Sequence, residues 1–148
     1  MSKTKTLNFN TTLEVRDACL CLHVRRAARA MARRYDEALR PIGLTSGQFS
    51  LLMSLNRPEP ATMTSVASVL AMDRTTLTAN LKPLERRGLI ATVPDEKDKR
   101  SRRLTLTEEG RKLLEAAMPY WHQAQAETEA LVGSKDADRL RAALLALS

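Results

Sequence analysis

The sequence predicts a mainly α-helical fold that carries one small β-hairpin. Aromatic residues make up 3% of the 148 residues and hydrophobic residues 43%, so the core has to be built from Leu, Ala, Val and Met, a composition that favours helices. Apolar residues recur at three- and four-residue steps along most of the chain. The exception is residues 89–106, where two short β-rich runs flank a charged loop.

The N-terminal part of the chain predicts an arm followed by one long helix. Residues 1–12 are polar and aperiodic, and we expect them to form a flexible, mobile arm. A helix is then expected from Leu13 to Leu39, ended by Arg40-Pro41 because a proline disfavours helical conformation in the residue before it. The apolar residues of this helix trace one stripe: Leu20, Val24, Ala27, Met31, Tyr35 and Ala38.

A capping box predicts the start of the second helix. The Thr45 hydroxyl can accept a hydrogen bond from the Gln48 amide, and the Gln48 side chain can reach back to the Thr45 amide. The helix is expected at residues 46–55, after which Pro58 and Pro60 mark a loop.

Two further helices are predicted around a tight turn. Thr64 is expected to cap a third helix that runs to about Leu70. Asp73 is expected to cap a fourth helix that runs to Arg87, with Gly88 as its left-handed stop. Together they make a helix-turn-helix.

A hairpin and two more helices complete the chain. The strands are expected at residues 89–93 and 103–106. Thr107 caps a helix that must bend at Pro119, because proline lacks the N–H that the helix needs there. A last helix is expected at residues 135–147.

A helix-turn-helix followed by a basic hairpin is an arrangement for reading duplex DNA, with the second helix in the major groove. On that helix Leu77, Leu81 and Leu84 share one face, which we expect to point into the core. For the opposite side of this helix, the alternative to DNA binding is a polar face that only contacts solvent.

The opposite face of this fourth helix is expected to contact DNA. Thr75, Thr78 and Ala79 would lie nearest the base edges, where a threonine methyl can pack on a thymine methyl. Lys82 and Arg86 would bind phosphates, which position the helix without reading sequence. The predicted contacts on this helix are Arg74, Thr75, Thr76, Thr78, Ala79, Asn80, Lys82 and Arg86.

The loop of the hairpin, residues 94–102, is predicted to reach an adjacent groove. Arg100 is expected to enter the minor groove, whose negative potential attracts arginine. Asp98 is expected to brace the loop by pairing with an arginine. The loop and the residue after it hold five positive residues, of which all but the last are predicted DNA contacts: Lys97, Lys99, Arg100, Arg102 and Arg103.

The charge balance agrees with a polyanionic partner. Lys and Arg number 24 against 17 Asp and Glu, a formal net charge of +7, and each cation placed on a phosphate releases counterions. A sequence-neutral architectural protein, which would bind all duplexes with similar affinity, is the alternative function. The sequence holds no Gly-rich phosphate loop, H-E-x-x-H or G-x-S-x-G motif, so we do not expect an enzyme.

The sequence predicts a cytoplasmic protein without a membrane partner. No apolar run approaches the roughly 20 residues of a membrane-spanning helix, and the N-terminus lacks the apolar core of a signal peptide. Cys19 and Cys21 are too few and too close for a disulfide framework, which favours a reducing compartment.

The first and last helices are predicted to build a two-fold homodimer. A helix of about 25 residues is nearly 40 Å long, and so small a DNA-reading lobe cannot bury its whole apolar stripe. Pairing the terminal helices with those of a second copy covers that stripe.

Three motifs carry a resemblance to a known family. DRTTLTANLKPLERRGLI, at residues 73–90, and PDEKDKRSRRLTLTEEG, at residues 94–110, resemble the MarR family of winged helix-turn-helix transcriptional regulators. RPIGLTSGQFSLL, at residues 40–52, matches the same family. The resemblance covers about residues 17–127 and includes a D-x-x-D-x-R pattern in the wing: Asp95, Asp98 and Arg100.

The resemblance implies one MarR-like domain at residues 13–148. Residues 44–107 would form the winged helix-turn-helix lobe, and residues 13–40 and 108–148 the dimerisation helices. It also implies an obligate dimer on a pseudo-palindromic operator, usually a repressor. Such a regulator leaves DNA when a small molecule or an oxidant acts near the junction of dimer helices and lobe.

The first effector hypothesis is a small aromatic or organic acid. His23 or Arg26 could pair with its carboxylate, and Trp121 and Phe49 could stack on its ring. Plain packing in the core is the alternative for the apolar members. The residues expected to line this pocket are His23, Arg26, Phe49, Met53, Tyr120 and Trp121.

The second effector hypothesis is an oxidant that acts on Cys21. The spacing from Cys21 through Arg29-Ala-Met31 to Tyr35 resembles that of the organic-hydroperoxide sensors of this family, in which the first-helix cysteine is oxidised. Arg25 and Arg26 could raise the thiolate fraction, although Arg25 stands where those sensors carry a tyrosine. A small buried hydrophobe is the alternative reading of Cys21.

No metal site and no cofactor are predicted. Cys19, Cys21 and His23 form a C-x-C-x-H motif. On one continuous helix Cys21 points away from the other two, so the three side chains cannot close a tetrahedral site.

Overall fold

The computed structural model describes residues 6–148, and the chain divides into two compact units, one ending at Arg34 and one beginning at Tyr35. The predicted fold class, mainly α with a small β-hairpin, is confirmed. The elements are α1 (Phe9–Ala18), α2 (Leu20–Leu39), a 3-10 turn (Arg40–Ile42), α3 (Ser46–Ser54), β1 (Ala61–Thr62), α4 (Met63–Val69), α5 (Arg74–Arg86), β2 (Ile90–Pro94), β3 (Arg102–Leu106), α6 (Glu108–Val132) and α7 (Ser134–Ala146).

Helix α1 begins inside the segment that was predicted as a mobile arm. The Asn8 side chain accepts a hydrogen bond from the Thr11 amide at 3.2 Å, which caps the helix and lets it start at Phe9. Residues 1–5 lie outside the described part of the chain, so for them the arm stays a prediction.

Cys19 interrupts the single helix that was predicted from Leu13 to Leu39. Its ψ of 108° is extended and ends α1. Its sulfur accepts a hydrogen bond from the Leu22 amide at 3.5 Å, the bond that an N-cap of α2 would make. No proline or glycine marks this point, so the helical periodicity runs across it without a visible break.

The core of the second unit is rich in leucine, as the composition predicts. Its largest fully buried side chains are Leu39, Leu52, Leu77, Leu84, Leu104 and Val66. Leu114 and Ala117 of α6 belong to the same cluster. The first half of α6 therefore packs on the lobe, whereas the sequence assigned all of residues 108–148 to dimer contacts.

The sheet has three antiparallel strands in the order β1-β3-β2. Across the hairpin Ile90 pairs with Leu106, and each strand end lies within one residue of its predicted position. The additional strand β1 was not predicted. It has only two residues, and Ala61 owes its extended conformation to pairing with Leu104 of β3.

Helices α4 and α5 form the predicted helix-turn-helix. The cap of α4 is Thr62, whose hydroxyl accepts from the Ser65 amide at 3.1 Å. The prediction of Thr64 was wrong because α4 begins directly after β1, two residues earlier than expected. In the turn Ala71 has a φ of 50°, a left-handed conformation that is strained for alanine. Asp73 then caps α5, as predicted.

Other predicted caps and stops are confirmed. Thr45 and Gln48 form both bonds of the capping box, Gly88 has a φ of 70°, and the Thr107 hydroxyl accepts from the first turn of α6. Pro119 lies inside α6, which continues to its end at Val132; the bend expected at this proline stays a prediction.

Candidate nucleic-acid interface

Helix α5 has one buried and one open side. Leu77, Leu81 and Leu84 are buried, as predicted. The open side is polar and therefore suits a major groove. Every residue of α5 that was predicted to contact DNA is exposed: Arg74, Thr75, Thr76, Thr78, Ala79, Asn80, Lys82 and Arg86.

Asp73 fixes the start of α5. Its Oδ1 accepts from the Thr76 amide at 2.7 Å and its Oδ2 from the Thr76 hydroxyl at 2.9 Å. Both hydrogen bonds favour the ionised carboxylate and so hold the pKa of Asp73 below its ordinary value of 3.8. The bond from the Thr76 amide has the larger effect, and the bond from the Thr76 hydroxyl the smaller one. A negative charge at this end also complements the helix dipole.

Two aspartates shape the tip of the wing, which is the hairpin of β2 and β3. Asp95 accepts from the Lys97 amide at 3.0 Å. Asp98 accepts from the Arg100 amide at 3.0 Å and from the Ser101 hydroxyl at 3.1 Å. Asp98 thus braces the loop, but the predicted pairing with an arginine side chain is wrong. The aspartate side chain is short, so it bonds to the backbone amide two residues later in the chain and not to a guanidinium.

Arg103 joins the tip of the wing to the loop before β1. Its Nε lies 3.2 Å from Asp95 Oδ2, and one Nη donates to the Pro60 carbonyl at 3.1 Å. The hydrogen bond from the Lys97 amide and, to a smaller extent, the interaction with Arg103 hold the pKa of Asp95 below its ordinary value of 3.8. Arg103 is therefore engaged within the protein, while the predicted wing contacts are exposed: Lys97, Lys99, Arg100 and Arg102.

A cleft of about 710 Å³ lies between α5 and the wing. It brings together five predicted DNA contacts from the two elements: Arg74, Thr78, Lys82, Arg100 and Arg102. When a helix occupies the major groove and a wing reaches the adjacent minor groove, the sugar-phosphate strand between the grooves runs between helix and wing. The remaining predicted contacts lie outside the cleft lining: Thr75, Thr76, Ala79, Asn80, Arg86, Lys97 and Lys99.

The cleft also contains residues to which the sequence assigned no role in DNA binding. Thr62, Glu85 and Thr92 are among its walls. Glu85 follows Arg74 by three helical turns and shares its face, so a longer helical wheel would have found it. Thr62 reaches the cleft only because β1 pairs with β3, a long-range contact that no local pattern reveals.

Of the predicted effector residues, the apolar ones pack together in the second unit. Phe49 is buried and stacks on the half-buried Trp121 with ring centroids 6.3 Å apart. Met53 packs against the same core, while Tyr120 is exposed. Core packing therefore accounts for Phe49, and Trp121 keeps an accessible edge.

The remaining effector candidates lie on α2, in the first unit. His23 and Arg26 are exposed, and His23 Nδ1 is 2.8 Å from the Cys19 carbonyl oxygen. Cys21 is a free thiol and is exposed in the single chain. Within residues 6–148 no cluster of three His, Cys, Asp or Glu side chains could hold a metal ion.

Tyr35, which contributed to the resemblance with hydroperoxide sensors, is engaged with α6. Its hydroxyl donates to Gln125 Oε1 at 2.6 Å. Gln125 donates in turn to Glu129 at 2.9 Å, and Arg141 of α7 donates to the same carboxylate at 2.7 Å. A polar chain thus links the end of α2, α6 and α7.

None of the helices that the structure describes combines the length and the apolar character needed to cross a bilayer.

Comparisons with known proteins agree on one family. The sequence profile of the MarR family matches residues 44–101. A stretch of 99 residues is 34% identical to the organic hydroperoxide resistance transcriptional regulator of Bacillus subtilis, covering 67% of each chain. A stretch of 91 residues is 38% identical to the transcriptional activatory protein BadR of Rhodopseudomonas palustris, covering 60% of this chain and only about half, 52%, of that one.

A solved structure extends the likeness over most of the chain. The transcriptional regulator MosR of M. tuberculosis, in complex with DNA, superimposes with a TM-score of 0.76 at 42% identity. The alignment covers 86% of this chain and 92% of that one. The elements that build the cleft therefore belong to a fold that has been observed on DNA.

Proposed function

Since this chain belongs to the MarR family of transcriptional regulators, we propose that it represses transcription as a homodimer on a pseudo-palindromic operator and is released by a small organic acid. The observation that carries the proposal is the cleft between α5 and the wing. Arg74 and Lys82 line one wall and Arg100 and Arg102 the other, so a phosphate strand held there would be neutralised from both sides.

Selection from a random duplex library tests sequence specificity. We expect an enriched palindrome, bound about 10³-fold or more tightly than a scrambled duplex at the same salt concentration. A sequence-neutral architectural protein would instead bind both duplexes alike, with a steep salt dependence. A reporter placed behind the selected site then distinguishes repression from activation, the role in BadR's name.

The homodimer rests on apolar side chains that the single chain leaves open. In the first unit Phe9 and Leu20 are 72% and 69% exposed. Leu140 and Leu144 of α7 and Leu147 at its C-cap fall on one side at helical spacing and are all exposed. Exposed apolar stripes of this kind mark association surfaces, and a second copy is the partner that a palindromic operator implies.

The proposed ligand is an aromatic carboxylic acid. Trp121 would stack on its ring, with Met53 and Tyr120 beside it, and a basic side chain would pair with its carboxylate. Trp121 is the only tryptophan of the chain, so its fluorescence reports binding directly. Benzoate and hydroxybenzoates should quench the emission and release DNA over the same concentration range, whereas benzyl alcohol, which lacks the carboxylate, should do neither.

An oxidant acting on Cys21 is the second candidate signal. Cys21 is exposed on α2, and the Bacillus subtilis relative is named for organic hydroperoxide resistance. In this reaction the Cys21 thiolate attacks a peroxide oxygen, which gives a sulfenate on the protein and releases the alcohol. Electrons pass from sulfur to the O–O bond, so no other reductant is needed.

Cumene hydroperoxide tests this candidate. It should release wild-type protein from DNA, and Cys21→Ser should stay bound. Mass spectrometry should place the added oxygen, or the product of its condensation, on Cys21. A Cys21→Ser variant that still lets go of DNA would exclude Cys21 as the primary sensor, and Cys19→Ser, tested beside it, shows whether the neighbouring sulfur takes part.

A further inference from the structure

The three threonines at the start of α5 differ in what their hydroxyl groups do. The Thr76 hydroxyl donates to Asp73 at 2.9 Å, and the Thr78 hydroxyl donates to the Arg74 carbonyl oxygen at 2.8 Å. The Thr75 hydroxyl has no hydrogen-bond partner within residues 6–148. Three residues of one type on one exposed surface therefore present different chemistry to a ligand.

The bond to Arg74 determines what Thr78 can offer. A threonine hydroxyl has a single hydrogen, and here the backbone four residues earlier takes it. The same bond selects one of the two rotamers that threonine adopts in a helix. Thr78 can no longer donate to a base, while its methyl group is held in one orientation. Thr78 is exposed on the open side of α5, so its methyl group is accessible to a base edge when the helix lies in a major groove.

Among the base edges of the major groove only thymine carries an apolar group, its 5-methyl. We propose that Thr78 is a specificity-determining residue that reads one thymine in each half-site through methyl-to-methyl contact. The inference rests on the proposed function, since it requires a specific operator. The inference identifies the group on the operator that the first turns of α5 recognise.

A cycle of changes in protein and DNA tests the contact. Each thymine of the selected half-site is replaced in turn by deoxyuridine, which removes only the methyl. With wild-type protein, one replacement should weaken binding about fourfold, the equivalent of about 0.8 kcal/mol for one buried methyl-sized group. Thr78→Ser, which also removes only a methyl, should bind the thymine and deoxyuridine duplexes equally at that position.

Two further variants separate the methyl from the hydroxyl. Thr78→Val keeps a methyl and loses the hydroxyl, so it should retain the fourfold preference for thymine. Thr128→Ser is the matched control, because the Thr128 hydroxyl also donates to the carbonyl oxygen four residues earlier, that of Ala124, but on α6. It should retain that preference.

The outcomes separate this inference from the function on which it rests. If Thr78→Ser is as sensitive as wild type to deoxyuridine at every position, the methyl contact does not exist, while the enriched sequence still supports the proposed function. Loss of the preference in Thr78→Val would also overturn the inference. If no sequence is enriched in the selection, the proposed function fails and the inference fails with it.

Discussion

Gly110 and Leu89 approach each other so closely that no side chain fits between them. A β-carbon on Gly110 would lie 2.1 Å from the Leu89 carbonyl oxygen. The same carbonyl accepts a hydrogen bond from the Thr107 amide at 3.1 Å. The first turn of α6 is thereby fixed against the residue that leads into β2, so the wing and α6 are positioned by one backbone contact.

Gly110→Ala should therefore destabilise the fold. The added carbon meets backbone, which cannot rotate aside, so we expect a loss of about 2–4 kcal/mol in the free energy of unfolding. Urea denaturation measures it. Gly47→Ala is the matched control, because Gly47 lies in α3 with nothing within 4 Å of the new carbon. That change should be neutral or stabilise by up to about 1 kcal/mol. Equal stabilities of the two variants would contradict the close approach.

Asp73 should make stability depend on pH in the acid range. Its pKa is lower in the folded chain than the ordinary value of 3.8. Its carboxylate therefore stabilises the fold fully above that value, and the contribution disappears as the pH falls through the folded-state pKa. Asp73→Asn keeps a capping oxygen without the charge.

The Tm difference between wild type and Asp73→Asn isolates this residue from Asp36 and Asp95, whose pKa values are also lowered. The difference should favour wild type at pH 6 and shrink towards pH 2.5. A difference that stays constant over that interval would show that the charge of Asp73 does not matter.

Arg100→Ala should weaken operator binding by about 1–3 kcal/mol and relax specificity at the position that the wing contacts. Fluorescence anisotropy with labelled operator measures the loss. Arg139→Ala removes the same charge from α7, where the side chain is 83% exposed, and it should bind operator as wild type does. Unchanged affinity of the Arg100 variant would mean that the wing tip does not insert.

Leu140→Glu combined with Leu144→Glu should separate the dimer. Both leucines lie on the exposed stripe of α7, and burying two carboxylates in an apolar interface is unfavourable. Sedimentation at micromolar concentration should find monomers that keep the helical content of wild type. Ala142→Glu, on the other side of the same helix, should remain dimeric. A double variant that still sediments as a dimer would place the interface elsewhere.

Short-range signals explain which parts of the fold were predictable. The caps at Thr45, Asp73 and Thr107 are set by residues three positions apart, so the sequence shows them directly. Strand β1 and the partner of Asp95 are different. Ala61 becomes a strand only after it pairs with Leu104 of β3, and two residues of strand carry no periodicity of their own. Arg103 meets Asp95 only once the register of the hairpin is set.

The site divides in the same way. The exposed side of α5 follows from helical spacing, and all eight predicted residues of that helix are indeed exposed. The roles of its threonines do not follow, because identical side chains at positions 75, 76 and 78 acquire different hydrogen bonds from the backbone around them. The break at Cys19 was also invisible, since a sulfur atom is a rare substitute for the usual capping oxygen.

The two bonds of Arg103 have a mechanical consequence for leaving DNA. One tethers the arginine to Asp95 on the wing, and the other to Pro60 ahead of β1. The wing is thereby tied to the segment that leads into β1 and the helix-turn-helix. We therefore expect the wing and α5 of one protomer to move as one body, so that a displacement of the lobe withdraws both from DNA together.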